Sequence, residues 1–339
     1  MNKEGTIYKR IRLLTQHKVF TLLLIFICLV ILFSIWSLLV GGQFFKASTF
    51  RNILSSLTFS AFLTIGAGCL LISGHIDLSQ AAVGAFGGMM LAVAIKCWDV
   101  PWFLAIILGL LLCVVFGALN ATLVTYFRFP PFIATLSMHY MARGLMFIFS
   151  TIDSTTGSAV SVAFINKPIA FLGSGMIGPI PFGIIVMAVF FLIYGIIIAR
   201  TRFGMKVILL GGNPVAANLA GVKARKMTYI LFINGAVLGG VAGIFNTGQL
   251  SQGSLLALQN NQFSGITAAI LGGISFVGGS GGMGGAFIGL LILNTFQIGM
   301  GSVKITNPFW VSVFMGILLI AALAADFLSQ MRIKKRLNV

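Results

Sequence analysis

The sequence predicts an all-α polytopic membrane protein, with about ten transmembrane helices in a single permease-like domain over residues 1–339. Hydrophobic residues make up 58% of the chain and charged residues only 8%, whereas a soluble domain carries about 25% charged residues. The mean hydropathy is +1.07. Apolar stretches recur along the whole chain, and most of them approach the ~20 residues that a helix needs to cross a bilayer.

Ten apolar stretches, taken in order, are the predicted spans. They are 19–40, 53–72, 80–98, 101–124, 133–150, 182–199, 227–247, 263–277, 286–300 and 308–328. The first is too long for the apolar core of a signal peptide, and no small-residue cleavage site follows it promptly. The pair Pro130 and Pro131 predicts a tight turn between two spans, because consecutive prolines cannot continue a helix. Residues 151–181 are predicted to form a long loop.

The distribution of basic residues predicts the orientation of the chain in the membrane. An even number of spans puts both termini on one side. That side carries 16 Lys and Arg residues, in the N-terminal tail 1–18, at Arg128, in the segment 200–226 and in the C-terminal tail 329–339. The other side carries five. The positive-inside rule therefore places both termini and 200–226 in the cytoplasm, and it explains the net charge of +17 without a nucleic acid partner.

The segment 200–226 is the most basic interruption between two spans. It holds six cationic residues and no acidic residue. Asn213 is a good N-cap and Pro214 suits the first helical turn, while Gly221 is placed to end the helix. A helix this short is unstable alone in water, so we expect it to pack against its own spans or against a partner protein. The alternative is a solvated loop that only sets topology.

The outer face of this predicted helix consists of small residues. Ala216, Ala217 and Ala220 are expected to leave room there for the close approach of a partner surface.

Glycines spaced four residues apart predict close contacts between helices. Such sets are Gly84 and Gly88, then Gly235, Gly239 and Gly243, then Gly281, Gly285 and Gly289. This spacing puts glycines on one helix face, where two backbones can approach closely. A glycine-lined path for a solute is the alternative interpretation.

Asp77 is the most informative polar residue near the spans, because the chain has only five acidic residues and an intramembrane carboxylate is costly. Asp77 or Ser79 is predicted to cap the third span, with Gln80 three residues after Asp77 as in a capping box. The alternative is a role in contacting the solute.

Four other polar side chains fall inside or between the spans. We interpret His75 as a hydrogen-bonded group at a helix end. Asn120, Asn234 and Asn294 lie within spans, so each must find a partner in the bundle or face water. These asparagines are the candidates for contact with a polar solute.

Searches for an ATP-binding loop and for metal-binding motifs find none. The chain lacks the Gly-x-x-x-x-Gly-Lys-Ser/Thr motif that would hold ATP, and it has no His-Glu-x-x-His or Cys-x-x-Cys. We therefore expect a non-enzymatic chain with no cofactor and no metal of its own. A pump of this shape must take its energy from a partner chain or from an ion gradient.

Two motifs resemble those of a known family. The stretch Ser73-Gly-His-Ile-Asp-Leu-Ser79 is similar to the Ser-Gly-Gly-Ile-Asp-Leu-Ser signature of ribose-type sugar permeases of ABC importers, with His75 in place of a glycine. The cytoplasmic segment of that family resembles 202–222 here, although Pro214 stands where an acidic residue is common. The Gly-rich turn 278–285 and the basic C-terminal tail also fit, so the resemblance covers essentially the whole chain.

The resemblance implies a permease subunit that imports a monosaccharide or a similar solute across the bacterial inner membrane. It implies three partners: a cytoplasmic ABC ATPase, an extracytoplasmic solute-binding protein, and a second permease copy or paralogue. It also implies that 200–226 holds the coupling helix, with contacts to the ATPase at Arg202, Gly204, Gly211, Gly212, Asn213, Ala216, Ala217 and Gly221. The substrate path or a structural cap would involve His75, Asp77, Asn120, Asn234 and Asn294.

Two alternatives stay open at this point. One is a nucleoside or branched-chain amino-acid permease of the same superfamily. The other is a secondary transporter driven by an ion gradient, although proton coupling usually needs a buried carboxylate relay and only Asp77 and Asp326 come near the spans.

Overall fold

The computed structural model describes residues 3–42, 44, 46–152, 160–259, 261–303 and 309–336. The helices in these ranges are α1 (Lys3–Val40), α2 (Ala47–Ile72), α3 (Gln80–Cys97), α4 (Trp102–Thr125), α5 (Pro131–Ser150), α6 (Lys167–Ser174), α7 (Phe182–Arg200), α8 (Arg202–Gly212), α9 (Pro214–Leu219), α10 (Ala224–Leu250), α11 (Asn261–Leu271), α12 (Met283–Ser302) and α13 (Phe309–Arg336). The strands are β1 (Ser161–Ala163), β2 (Met176–Ile177), β3 (Ile180–Pro181) and β4 (Gln252–Ser254).

The predicted fold class is confirmed. In the part of the chain that the structure describes, nine helices are long and apolar enough to cross a membrane, and each coincides with one of the predicted spans. The turn expected at the two prolines is also present, because α4 ends before it and Pro131 begins α5. Proline suits that first helical position, where its missing N–H is not needed.

The eighth predicted span, 263–277, differs from the other nine. Its helix α11 has only 11 residues, Asn261–Leu271. Gly273 closes that helix with a φ of +87°, a left-handed conformation that glycine adopts without steric cost. The chain then continues without helix to Gly279, whose N–H donates to the carbonyl of Ile72 at 2.8 Å. This stretch thus runs alongside α2 as a short helix followed by irregular chain, which is why nine long helices are seen.

The predicted loop 151–181 contains regular structure. Within its described residues lie β1, the short helix α6 and the β2–β3 hairpin. Strand β1 pairs antiparallel with the distant β4, with Val162 opposite Gly253. Strands of two or three residues are too short to leave an alternating pattern in the sequence, so the sequence predicted the long loop but not the short elements within it. Residues 153–159 lie outside the described part of the chain.

The centre of the bundle is helix α10, which packs on α2, α3 and α4. Its contact with α3 is backbone against backbone: a Cβ on Gly84 would overlap the carbonyl oxygen of Gly239, and one on Gly243 would overlap that of Gly84. In α12, a Cβ on Gly289 would overlap the carbonyl oxygen of Ala268. The packing interpretation of the glycine spacing is therefore confirmed at these positions.

The bundle has two recognisable ends. At one end, which we call the α9 end, α4 finishes beside the start of α10, and the hydroxyls of Thr122 and Tyr229 lie 2.6 Å apart. Helices α8 and α9 lie at this end, between α7 and α10. At the other end, the sheet end, β4 directly follows α10 and pairs with β1. Helix α5 runs from the α9 end towards the sheet end.

Candidate functional site

The first part of the segment 200–226 is a helix rather than a loop. Thr201 caps α8, its side-chain oxygen accepting a hydrogen bond from the N–H of Gly204 at 3.3 Å. A Cβ on Gly204 would overlap the carbonyl oxygens of Ile197 and Ile198. Gly204 therefore lets α8 fold tightly back against the end of α7, a packing role inside the chain.

Gly211, near the end of α8, has a similar place. A Cβ there would overlap the carbonyl oxygen of Ile72, and it would come within 2.7 Å of the N atom of Gly279. Three backbone segments thus meet: the end of α8, the end of α2 and the glycine-rich turn before α12. Helix α8 is therefore in direct contact with the two irregular segments of the bundle, so a movement of α8 would reach both.

Helix α9 forms where the sequence predicts it. The side-chain oxygen of Asn213 accepts hydrogen bonds from the N–H groups of Val215 at 3.1 Å and Ala216 at 3.0 Å. Pro214 opens the helix, and Gly221 follows its end with a φ of +77°. These are the N-cap and the glycine ending that the residue types indicate.

The orientation of α9 corrects one prediction. Ala217, expected on the outer face, is 0% exposed. The exposed side chains are Val215 at 71% and Leu219 at 86%. Ala216 and Ala220 are exposed as expected, and so is Gly212. The outer face of α9 therefore presents two large apolar side chains, and its small buried alanine faces the bundle.

Exposed cations surround α9 in the sequence. They are Arg202, Lys206, Lys223, Arg225 and Lys226. The guanidinium of Arg225 lies over the ring of Tyr126, 5.4 Å from its centroid, so the end of α4 also contributes to this surface. An apolar pair within a basic rim suits a partner groove that is apolar at its base and acidic at its edge.

The break between α2 and α3 holds the buried carboxylate. Asp77 is 3% exposed, and its Oδ1 accepts hydrogen bonds from the backbone N–H of Ser79 at 2.7 Å and from the Ser79 hydroxyl at 2.6 Å. Burial raises the pKa of the Asp77 carboxyl above its ordinary value, and the hydrogen bonds from Ser79 act in the opposite direction. Asp77 therefore holds the turn that leads into α3.

Of the two residues predicted to cap the third span, Asp77 makes the contacts and Ser79 does not. The Asp77 carboxylate accepts a hydrogen bond from the backbone N–H of Ser79 at 2.7 Å, and the backbone of Gln80 also interacts with it. Ser79, whose backbone is already helical with φ of −85° and ψ of −20°, makes no side-chain cap hydrogen bond. The side-chain Nε2 of Gln80 is buried and has no partner among the described residues.

A chain of hydrogen bonds links Asp77 to the neighbouring helix α4. The side-chain Nδ2 of Asn120 donates to the hydroxyl of Ser79 at 2.8 Å, and that hydroxyl donates to Asp77. The remaining oxygens, Asp77 Oδ2 and Asn120 Oδ1, are buried without a partner among the described residues. Asn120 thus has the bundle partner that its place in a span requires.

The same break is also held from other sides. His75 Nδ1 lies 3.0 Å from the hydroxyl of Ser73, and the His75 ring meets the ring of Phe232 edge-on at 5.7 Å. From α5, Thr135 accepts a hydrogen bond from the N–H of Leu78 at 3.1 Å. His75 is therefore the hydrogen-bonded group at a helix end that the sequence suggests.

Two of the predicted site residues lie elsewhere. Asn234 accepts a hydrogen bond from the hydroxyl of Tyr194 on α7, and Asn294 accepts one from the hydroxyl of Ser56 at 2.9 Å. The structure therefore brings His75, Asp77 and Asn120 together around one break but leaves Asn234 and Asn294 as separate contacts between helices.

The sequence did not predict a polar pocket that lies in the half of the bundle towards the sheet end. Its volume is about 240 Å³, and its lining residues are His139, Tyr140, Arg143, Leu255, Gln259 and Gln262. Arg143 Nη1 donates to the carbonyls of Leu255 at 3.1 Å and Ala257 at 2.9 Å. The signal in the sequence was a single arginine inside a span, which by default marks a functional site.

The chain has clear relatives among known proteins. A family described as branched-chain amino acid transport system, permease component, matches residues 49–323. The D-allose transport system permease protein of Escherichia coli (strain K12) is 31% identical over 301 residues, which cover 89% of this chain and 90% of that protein. The fructose import permease protein of Rhizobium meliloti is 30% identical over 304 residues, with 88% and 83% covered.

A ribose import permease protein of Haemophilus influenzae is 28% identical over 305 residues, which cover 89% of this chain and 92% of that protein. No solved structure matches the chain significantly. The match over 49–323 extends from the start of α2 into α13, and it includes both the α2–α3 break and α9. The chain therefore belongs to this family of transport permease components, and it is a multi-pass protein of the bacterial inner membrane.

Proposed function

We propose that this permease is the membrane-spanning subunit of an ABC importer that moves a monosaccharide inward with ATP hydrolysed by a partner protein. The sugar is inferred from three relatives, which are named for allose, fructose and ribose and which align over 88–89% of this chain. The chain itself is proposed to be non-enzymatic and without a cofactor. A solute-binding protein outside the membrane and a second permease copy or paralogue complete the proposed assembly.

Helix α9 is the element that we assign to contact with the ATPase. The observation that supports this is the exposed pair Val215 and Leu219. Two large apolar side chains on a six-residue helix are poorly placed for lipid, because exposed cations flank that helix in the sequence on both sides. An apolar anchor inside a polar rim is the usual anatomy of a protein interface.

The coupling residues inferred from the resemblance divide into two roles under this proposal. Asn213 and Gly221 define the two ends of α9. Arg202, Gly212 and Ala216 are exposed residues on or near α9, where a partner could touch them. Gly204, Gly211 and Ala217 are buried or closely packed, so we propose that they transmit movement into the bundle and do not touch the partner.

The proposal is tested by the double variant Val215→Asp with Leu219→Asp. Both side chains are exposed, so the permease should insert and fold normally. The tagged permease should lose the P-loop ATPase that co-purifies with the native protein, and ATP-driven uptake of labelled D-allose, D-fructose and D-ribose should fall at least ten-fold.

The control is Ile165→Asp at the sheet end, where the side chain is 99% exposed; it should leave co-purification of the ATPase intact. A double variant that keeps the ATPase and takes up sugar at the normal rate would show that α9 is not the docking element. Uptake that persists without ATP and stops with a protonophore would favour the secondary transporter.

A further inference from the structure

We propose that the polar pocket between α5 and the residues Leu255, Gln259 and Gln262 is a subsite that binds the hydroxyl groups of a neutral sugar on its way through the permease. This inference rests on the proposed function, since it names the part of the chain that meets the transported solute. The lining of the pocket includes no residue of the α2–α3 break or of α9, and neither Asn234 nor Asn294. It touches the break at one point, where His139 contacts the carbonyl of Leu78.

The pocket lies well inside the span of α5. Arg143 stands twelve positions after Pro131, the first residue of α5, which is a rise of about 18 Å at 1.5 Å per residue. Arg143, and the pocket with it, therefore lies in the half of the bundle nearer the sheet end. The opposite wall belongs to the segment that connects β4 to the short helix α11. That segment lies directly before the first residue of α11, Asn261.

The guanidinium of Arg143 is fixed in place with one nitrogen left over. Nη1 is held by the carbonyls of Leu255 and Ala257, whereas Nη2 is buried with no partner among the described residues. A buried donor without a hydrogen-bond partner costs free energy. A solute oxygen that accepts a hydrogen bond from Nη2 would remove that cost, which favours binding of the solute.

Gln262 supplies the matching acceptor. Its Oε1 is likewise buried without a partner in the described part of the chain. The pocket thus contains an unsatisfied donor and an unsatisfied acceptor, on side chains from two elements. A sugar hydroxyl both donates and accepts, and two neighbouring hydroxyls can engage both groups together.

The other lining residues suit the same chemistry. His139 is oriented by the carbonyl of Leu78, 3.2 Å from its Nδ1, and its other ring nitrogen is available as a donor or an acceptor. Gln259 adds an amide, and Tyr140, 69% exposed, adds a ring and a hydroxyl. None of the lining residues is acidic. Apart from the Arg143 guanidinium, the lining groups are neutral donors and acceptors beside an aromatic ring. A polyol can bond to all of these groups through its hydroxyls, whereas Arg143 would repel a cation.

The size of the pocket and its neighbour fit a solute in transit. A volume of about 240 Å³ is the room of roughly eight water molecules at about 30 Å³ each. Gln259 also lines a second cavity of about 690 Å³, between α11, α12 and α13, whose polar lining includes Ser264, Thr267 and Gln297. A solute released from the pocket therefore meets another partly polar space beside Gln259.

Uptake and ATP hydrolysis by the complete complex test the subsite. Gln262→Ala and Gln259→Ala should each lower the uptake of D-allose, D-fructose or D-ribose about five-fold, the effect of one lost hydrogen bond. ATP hydrolysis by the same preparations should stay within two-fold of the native rate, because neither residue lies near α9. The matched control is Gln249→Ala, an exposed glutamine on α10 outside the pocket, which should leave uptake unchanged.

A labelling experiment measures occupancy directly. Gln262→Cys is placed in a background in which Cys28 and Cys97, the two cysteines that are not buried, are replaced by serine. A maleimide should label this cysteine in the ATP-free complex, and the transported sugar at high concentration should slow labelling several-fold. L-leucine should not protect, because its ammonium group would find no acidic partner among the lining residues, although its carboxylate could pair with the Arg143 guanidinium.

The outcomes separate the two proposals. Native complex that takes up none of the three sugars overturns the proposed solute class and this inference with it. Native complex that transports sugar, combined with full uptake by both alanine variants and no protection of Gln262→Cys, overturns the subsite alone. Protection by L-leucine and not by sugar overturns the assignment to a neutral polyol.

Discussion

The contact between α3 and α10 and the short helix α9 both depend on small residues, but they use them differently. At the α3–α10 contact, Gly84, Gly239 and Gly243 let two long helices touch backbone to backbone, and the contact is buried from end to end. In α9, the one small buried residue is Ala217, and it faces the bundle while Val215 and Leu219 project outward.

This difference shows how small residues are best read in a membrane permease. Where they repeat at helical spacing inside a span, they indicate close packing. In the short polar segment around α9 they identify no face, because Ala217 is buried while Ala216 and Ala220 are exposed. The large apolar residues Val215 and Leu219 mark the side available to a partner there. A row of alanines is therefore a poor guide to a docking face.

The largest expected effect is at the α3–α10 contact. Gly243→Leu would force a side chain into the backbone of α3, where neither helix can yield without separating. We expect almost no folded permease, measured as the monodisperse peak of a fluorescent fusion in size-exclusion chromatography. Gly144→Leu on α5 is the control, because a Cβ there meets nothing within 4 Å. Normal recovery of Gly243→Leu would break the comparison.

The second prediction concerns the two sides of α9. Ala217→Glu buries an unpaired carboxyl group, which must lose its charge there, and even a neutral polar group without a partner costs roughly 1–3 kcal/mol to bury in a protein. We expect a clear fall in the midpoint of thermal unfolding in detergent. Leu219→Asp, an acidic substitution on the exposed side, should shift the midpoint very little. Equal midpoints for the two variants would mean that Ala217 is not held against the bundle.

The smallest effect is expected at Asp77, in the break between α2 and α3. Asp77→Asn keeps an oxygen that can accept the hydrogen bonds from Ser79, so uptake and membrane abundance should both stay near native. Asp77→Ala removes the acceptor and should cost about 1 kcal/mol or somewhat more, lowering abundance. Loss of uptake by Asp77→Asn at native abundance would instead assign the charge itself to transport.

Much of the fold could be predicted because its signals are local. A span needs only a run of apolar residues, and the first span, 19–40, ends where α1 ends, at Val40, although that helix begins at Lys3. Helix α9 was predictable for the same reason, since Asn213, Pro214 and Gly221 act within a few residues of themselves. Helix α8 was missed because the basic character of the segment concealed its amphipathic pattern.

The site was predictable only in part, because its contacts are long-range. Asp77 and His75 stand out in the sequence as polar residues between spans, but their partners on α4 and α10 do not. The pocket was missed for the same reason: Arg143 and the carbonyl of Leu255 that it binds are 112 residues apart. No periodicity or short motif relates positions so far apart.

By itself, the sequence determined the all-α membrane fold, the approximate limits of the spans, the existence of α9 and the family of the chain. These follow from hydrophobicity, capping and short motifs, which depend on neighbouring residues. Only the tertiary structure decided which face of α9 is buried, where α11 stops, and that Arg143, Gln259 and Gln262 share a pocket. Those features depend on which helices lie side by side, and that is fixed by packing over the whole bundle.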